Sequence, residues 1–162
     1  MAMEGDSKPM AKHGNQYIVI ADGGHARFVR PQADNGLRTE EALDSAALHK
    51  QTRDLVSDRA GRAFDSSSPA RHALAARSDA RTLEKGRFAR LVGEKICTAA
   101  AGGGFDELVL VAPSRILIEL EATLDAGTRA RLVGRLAKDL VGVPDHELRP
   151  HLRHWVGPLQ RA

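Results

Sequence analysis

The most informative part of this 162-residue chain is Tyr17-Ile18-Val19-Ile20-Ala21-Asp22-Gly23-Gly24, a short apolar run that ends in a turn. Its consecutive apolar residues, three of them β-branched, predict a strand that is buried on both faces. Asp-Gly is a strong hairpin signal because glycine readily adopts positive φ. The residues that follow, His25 to Arg30, are therefore expected to form the antiparallel return strand.

A second hairpin signal follows at Asn35-Gly36. The next segment, Leu37 to Leu43, is more polar than the first two strands, and we expect it to lie near an edge of the sheet. Three consecutive strands joined by tight turns predict an antiparallel meander.

The clearest helix is predicted from Ser78 to Ala101. Ser78 is a suitable N-cap residue, and Asp79 in the first turn complements the helix dipole. The apolar residues of this segment recur at a spacing of three to four and occupy one face of a helix: Leu83, Phe88, Leu91, Val92, Ile96 and Ala99. Gly102-Gly103-Gly104 follows the last of them, and we interpret these glycines as the helix C-terminus rather than a phosphate loop.

The second half of the chain alternates strands with helices. Glu107 to Ala112 is apolar on both faces, which is typical of a central, parallel strand. A helix from Ser114 through Glu121 and a short one near 125–130 follow. Residues 131–138 suit either a helix or a strand, and we choose a strand; Pro144 to Arg153 forms a closing helix. The predicted fold is α/β, with a mixed sheet in the order β-β-β-α-β-α-β-α and helices packed on it.

Composition excludes several classes of protein. No stretch approaches the ~20 apolar residues that span a bilayer, so we expect no membrane insertion. One cysteine, Cys97, excludes a disulfide framework, and we expect neither a metal nor a cofactor. Residues 1–15 are polar and predict a disordered tail without a secretory signal, followed by a single domain at 16–155 and a C-terminal tail at 156–162. Together with the lone thiol, this predicts a cytoplasmic protein.

The positive charge is unevenly distributed along the chain. The total is +3, yet residues 45–90 alone carry ten basic and five acidic groups. We place this excess mainly in a long connection, 45–77, that shows no structural period. Connections of this length are generally functional or mobile.

This connection contains the candidate binding residues. Its arginines and aspartates either pair with one another on the surface or present an arginine cluster to phosphate, and the pattern leaves both open. The candidates are Arg53, Ser57, Asp58, Arg59, Arg62, Asp65, Ser66, Arg71, His72 and Arg77.

Other chemical groups favour structural roles. Asp22 at the end of the first strand is a weak candidate for a metal-binding carboxylate, but its position in an Asp-Gly turn favours a hairpin role. Cys97 has no base beside it in sequence and is interpreted as an inert, buried thiol. Trp155 is expected to cover the core. Three histidines near the C-terminus give only weak support for a metal site: His146, His151 and His154.

Several of these stretches resemble the bacterial host attachment protein family. The most specific of them is Ser57-Asp58-Arg59-Ala60-Gly61-Arg62-Ala63-Phe64-Asp65-Ser66. Further matching pieces are Val19 to Gly23, Arg71-His72-Ala73, Leu108 to Pro113 and Lys138-Asp139-Leu140. The resemblance covers roughly residues 17–152.

The resemblance implies a role in attachment of bacteria to host cells. The family is also distantly similar to the middle domain of archaeal and eukaryotic peptide-chain release factors, which shares a ribonuclease-H-like topology. Those factors carry a Gly-Gly-Gln loop, but the corresponding place here, around Ser66 to Arg77, has none.

Three hypotheses follow. The first is a non-enzymatic cytoplasmic interaction or regulatory protein that acts indirectly in attachment, with an unknown macromolecular partner and oligomeric state. The second is an RNA- or ribosome-binding module that uses its arginines, Arg81 among them. The third is a metal-dependent hydrolase around Asp22.

Overall fold

The core of the structure is one five-stranded mixed sheet. A computed structural model describes residues 15–34, 36–46 and 70–156, with side chains in the last range from position 75 onward. The strands are β1 (Gln16–Ala21), β2 (His25–Pro31), β3 (Leu37–Asp44), β4 (Glu107–Val111) and β5 (Leu132–Leu136). Their order across the sheet is β3-β2-β1-β4-β5. The pairs β1–β2 and β2–β3 are antiparallel, whereas β1–β4 and β4–β5 are parallel.

This arrangement confirms the predicted fold class and element order. The two strands that are apolar on both faces, β1 and β4, lie side by side inside the sheet, and polar β3 lies at an edge. Residues 131–138, which suited either a helix or a strand, contain β5. The helices are α1 (Ala70–Ala101), α2 (Ser114–Thr123), α3 (Ala126–Arg129) and α4 (Asp145–Leu148), which runs into a 3-10 turn (Arg149–Leu152).

The predicted start of the long helix is wrong. α1 begins at Ala70, eight residues before the expected N-cap Ser78. The added segment, Ala70 to Arg77, is rich in alanine and arginine, which have high helix propensity, but its sequence shows no apolar period. The last part of the predicted 45–77 connection is therefore helical, while 47–69 lies outside the described residues.

Each face of the sheet buries its own apolar cluster. On one face, α1 and α2 cover a cluster that includes Tyr17, Phe28 and Phe105. On the other, α4, the 3-10 turn and Trp155 cover a cluster that includes Ile18 and Val109. Trp155 thus covers the core as expected, and its indole lies so close to the sheet that a Cβ on Gly134 would stand 2.2 Å from Nε1. β1 and β4 are apolar on both faces because both faces are covered.

The glycines after α1 end the helix as predicted. Gly103 has φ 71, the left-handed conformation that favours glycine. The N–H of Gly104 donates to the carbonyl of Ala99 at 2.8 Å, and that of Gly103 donates to Ala100 at 3.0 Å. This is the hydrogen-bond pattern of the Schellman motif, which directs the chain from α1 into β4.

Both ends of the folded region extend slightly beyond the predicted boundaries. Asn15 donates a hydrogen bond to Asp106. Val156, which we assigned to the C-terminal tail, is buried, and its N–H donates to Leu152 at 2.8 Å. Residues 1–14 and 157–162 lie outside the described residues. Within the described part, none of the helices has both the length and the hydropathy to cross a bilayer.

Candidate functional site

α1 consists of a packed half and an exposed half. From Phe88 to Ala100 it contributes buried residues to the core. Residues 75–85, by contrast, are all exposed over three turns of helix, and at the inner end of this segment Lys85 contacts the β1–β2 turn. We call residues 75–85 the exposed arm; at 1.5 Å per residue it extends about 16 Å.

One line of side chains passes from the core onto the exposed arm. Residues four apart share a helix face. The line that contains buried Ala89 continues toward the N-terminus through Lys85, Arg81 and Arg77. Where the sheet ends, the core-facing side of α1 therefore changes from apolar to basic. We call Arg77, Arg81 and Lys85 the basic row.

The inner end of the basic row borders an open cleft beside the β1–β2 turn. The cleft has a volume of ≈ 370 Å³, and its walls come from the turn, from Ser45 and from Arg81, Glu84 and Lys85. The aliphatic stem of Lys85 lies on Gly23, where an added Cβ would be 2.9 Å from three of its carbons. Glycine at this position leaves room for the Lys85 side chain against the turn.

Asp22 at the edge of the cleft has the contacts of a hairpin residue. Its Oδ1 accepts hydrogen bonds from the N–H of Gly24 at 2.7 Å and of His25 at 2.6 Å. The His25 ring lies between two carboxylates, with Nδ1 3.3 Å from Asp22 and Nε2 3.7 Å from Asp44. These contacts support the hairpin interpretation. Among the described side chains, no three His, Cys, Asp or Glu residues lie close enough together to hold a metal ion.

The charge excess lies on the helix more than on the connection. Residues 70–90 contain six basic and two acidic groups, whereas residues 45–69 contain four basic and three acidic groups. Arg71 and Arg77 of the predicted 45–77 loop lie on α1, and residues 70–90 carry most of the excess, so this charge belongs mainly to the helix.

The predicted site residues divide into three groups. Arg71 and His72 lie on α1 at positions for which only the backbone is described, and Arg77 is exposed in the basic row. Asp22 lies across the cleft from the inner end of that row. The remaining candidates lie outside the described residues: Arg53, Ser57, Asp58, Arg59, Arg62, Asp65 and Ser66.

Lys85 is the member of the basic row that the sequence reasoning did not propose. The sequence does contain the pattern that identifies Lys85, because Arg77, Arg81, Lys85 and Ala89 follow one another at a spacing of four. Cys97 is half-buried rather than fully buried, with its Sγ 3.9 Å from the carbonyl oxygen of Thr123.

Comparison with known proteins yields a family match and a structural likeness. A family model described as "Protein required for attachment to host cells" matches residues 17–152, from β1 through the final 3-10 turn. A search of curated proteins gives no match. Among solved structures, the crystal structure of an archaeal translation termination factor matches with a TM-score of 0.48 and 13% identity. The match covers 86% of this chain and 35% of that one, so this chain spans about a third of the length of that factor.

Proposed function

Because the chain belongs to the family of proteins required for attachment to host cells, we propose that it acts in attachment as a non-enzymatic protein that binds a macromolecular partner through α1. The observation that carries this proposal is the exposed arm, residues 75–85, which continues a core helix beyond the sheet and has every residue exposed.

The exposed arm has the physical properties of a binding element. An isolated helix of this length is marginal in water. Here it continues from a packed helix, so the nucleation cost is already met by residues 88–101. A partner that contacts the arm therefore finds its side chains in a preformed arrangement, which lowers the entropic cost of binding.

The polar groups near the arm support binding rather than catalysis. Asp22 accepts hydrogen bonds within its own turn, and the His25 ring lies between two carboxylates. The cleft that they border is open to solvent, so it lacks the enclosure that strengthens electrostatic interactions in many active sites.

We further propose that the protein acts in the cytoplasm and affects attachment indirectly. The single cysteine leaves no internal disulfide, which is typical of proteins in reducing compartments. Cell fractionation tests this point, and recovery of most of the protein outside the cell would contradict it.

The attachment role is tested by complementation. In a strain that lacks the protein, we expect the wild-type chain to restore attachment to host cells, and a variant with Arg77→Ala, Arg81→Ala and Leu83→Ala to fail. The matched control carries Arg115→Ala and Ile118→Ala on exposed positions of α2. Full complementation by the arm variant, at equal expression and melting temperature, would reject the arm as the binding element.

A further inference from the structure

We propose that the basic row, Arg77, Arg81 and Lys85, binds a nucleic-acid strand through its phosphates. This inference rests on the proposed function, since it names the partner of the exposed arm. Its basis is the juxtaposition of three cations on one exposed helix face with an arm surface that is almost free of large apolar groups.

The spacing of the basic row suits a chain of phosphates. Four residues of α-helix advance about 6 Å, so the row presents cations at regular intervals along the arm. Two of the three are arginines, whose planar guanidinium donates two parallel hydrogen bonds to one phosphate. Arg77, Arg81 and Lys85 are all exposed and can reach a strand that runs along the helix.

The composition of the exposed arm favours nucleic acid over a protein surface. Protein interfaces are centred on buried aromatic or aliphatic anchors. Leu83, with 62% of its surface exposed, is the one large apolar residue among 75–85. Alanine and serine occupy much of the remaining surface and leave room for a close approach. Phosphate binding, in contrast, requires mainly basic and polar groups.

The acidic groups nearby define where the strand would lie. Asp79 is two residues from both Arg77 and Arg81, and residues two apart on a helix do not face each other. Asp22 and Glu84 both border the cleft at the inner end of the row. The strand is therefore expected to follow the outer part of the row, with Lys85 as its innermost contact.

Salt-dependent binding of a single-stranded oligonucleotide tests the proposal. Fluorescence anisotropy with labelled RNA, and with DNA of the same sequence, should show an affinity that falls as salt rises. A variant with Arg77→Gln, Arg81→Gln and Lys85→Gln should reduce the slope of log K against log salt by about 2, since each phosphate contact contributes about 0.7 for single strands. Equal affinity for RNA and DNA would show that the phosphates are recognised. Tighter binding of RNA would show that its 2′-hydroxyl groups also contribute to the affinity.

The matched control removes the same charge elsewhere. Arg90→Gln, Arg115→Gln and Arg153→Gln change exposed residues away from the basic row, and this variant should retain most of the slope. An equal reduction of the slope in the two variants would overturn the proposal, because it would indicate a general effect of net charge.

Two other results would also overturn it: no binding of either strand by the folded protein, or equally effective competition by polyglutamate, which would indicate an acidic protein partner. Either result leaves the complementation test of the exposed arm unaffected, so failure of this inference is distinguishable from failure of the proposed function.

Discussion

Arg27 connects three parts of the chain that are distant in sequence. Its Nη1 donates to the carbonyl oxygens of Val143 at 2.5 Å and Val141 at 2.9 Å. Its Nε and Nη2 donate to the Thr39 hydroxyl at 3.2 and 3.1 Å, and Nη2 also contacts Asp145. Only 15% of the Arg27 side chain is exposed, and these bonds compensate for its burial.

Asp145 completes this network at the edge of the sheet. Its Oδ2 accepts from the N–H of Thr39 at 2.9 Å, next to the point where the β2–β3 register shifts. A free N–H on an edge strand is a site for unwanted strand pairing, and the carboxylate occupies it. Burial of Asp145 opposes its ionisation, but the hydrogen bonds from Thr39 and Arg27 outweigh this effect and hold its pKa below the ordinary value of 3.8.

The lowered pKa of Asp145 predicts a pH-dependent contribution to stability. A carboxyl whose pKa is lower in the folded state stabilises the fold above its unfolded pKa, and this contribution is lost as pH falls through the folded pKa. We expect Asp145→Asn to reduce the free energy of unfolding at neutral pH by about 1 kcal/mol, a modest value because water screens the partly exposed carboxylate. Urea unfolding at neutral pH and at about pH 3 measures the difference in the free energy of unfolding between the wild-type protein and the variant, which should be smaller at the lower pH. An equal difference at both pH values would contradict it.

At the scale of elements, α1 contains two glycines in different surroundings. A Cβ on Gly93 would lie 1.7 Å from Oγ1 and 2.5 Å from Cβ of Thr123 in α2, so glycine permits the close contact of the two helices. A Cβ on Gly86 would meet nothing within 4 Å. The same residue type is thus required for packing at one position and only reduces helix propensity at the other.

These two glycines form a matched pair of substitutions. We expect Gly93→Ala to lower the free energy of unfolding by about 1–3 kcal/mol through overpacking against Thr123. Gly86→Ala should raise it by about 0.5–1 kcal/mol, since alanine is the better helix former. Chemical denaturation of both variants measures the difference in sign. If Gly93→Ala were also stabilising, the close packing of α1 on α2 would be incorrect.

At the scale of the whole molecule, the sheet joins two separate apolar clusters into one structure. Leu120 of α2 is fully buried on one face, and Leu152 of the 3-10 turn is fully buried on the other. The strands between them supply side chains to both clusters: Tyr17 and Val19 point to the first, and Ile18 and Ile20 to the second. Loss of either layer would expose one face of the same strands.

The shared sheet predicts one cooperative unfolding transition. Leu120→Ala and Leu152→Ala should each lower the free energy of unfolding by about 2–5 kcal/mol. Val133→Ala, at a position with 47% exposure, serves as a control with little effect. Thermal unfolding followed by both near- and far-ultraviolet circular dichroism should give coincident transitions. A separate early transition in Leu152→Ala would show that the C-terminal layer unfolds independently.

Local pattern was sufficient to predict most of the fold. The apolar run at Tyr17 and the one at Leu108 predicted β1 and β4, and the Asp22 turn and the glycines after Ala101 predicted where elements end. The start of α1 could not be found in this way, because the sequence from Ala70 to Arg77 shows no apolar period, and residues 75–77, whose side chains are described, are exposed. An apolar period arises where one face of a helix is buried, so a helical segment that is exposed on all sides does not show one.

The candidate site was predictable only in part. The charge of the segment and the candidate residue Arg77 were visible in the sequence, but their assignment to a loop concealed that Arg77, Arg81 and Lys85 form one row. The spacing of these residues acquires meaning only once the segment is known to be helical, since residues four apart share a face on a helix but not in a loop.

Local sequence patterns are enough to specify two strands apolar on both faces, the Asp-Gly turn and the glycine end of α1. These depend on side-chain shape, φ preference and hydrophobic period, all of which act between neighbours in the chain. The three-dimensional fold is needed to show that α1 extends past the sheet and exposes a basic row, and that Arg27 contacts Asp145. Those features depend on where the sheet ends and on contacts between residues far apart in sequence, which no local pattern encodes.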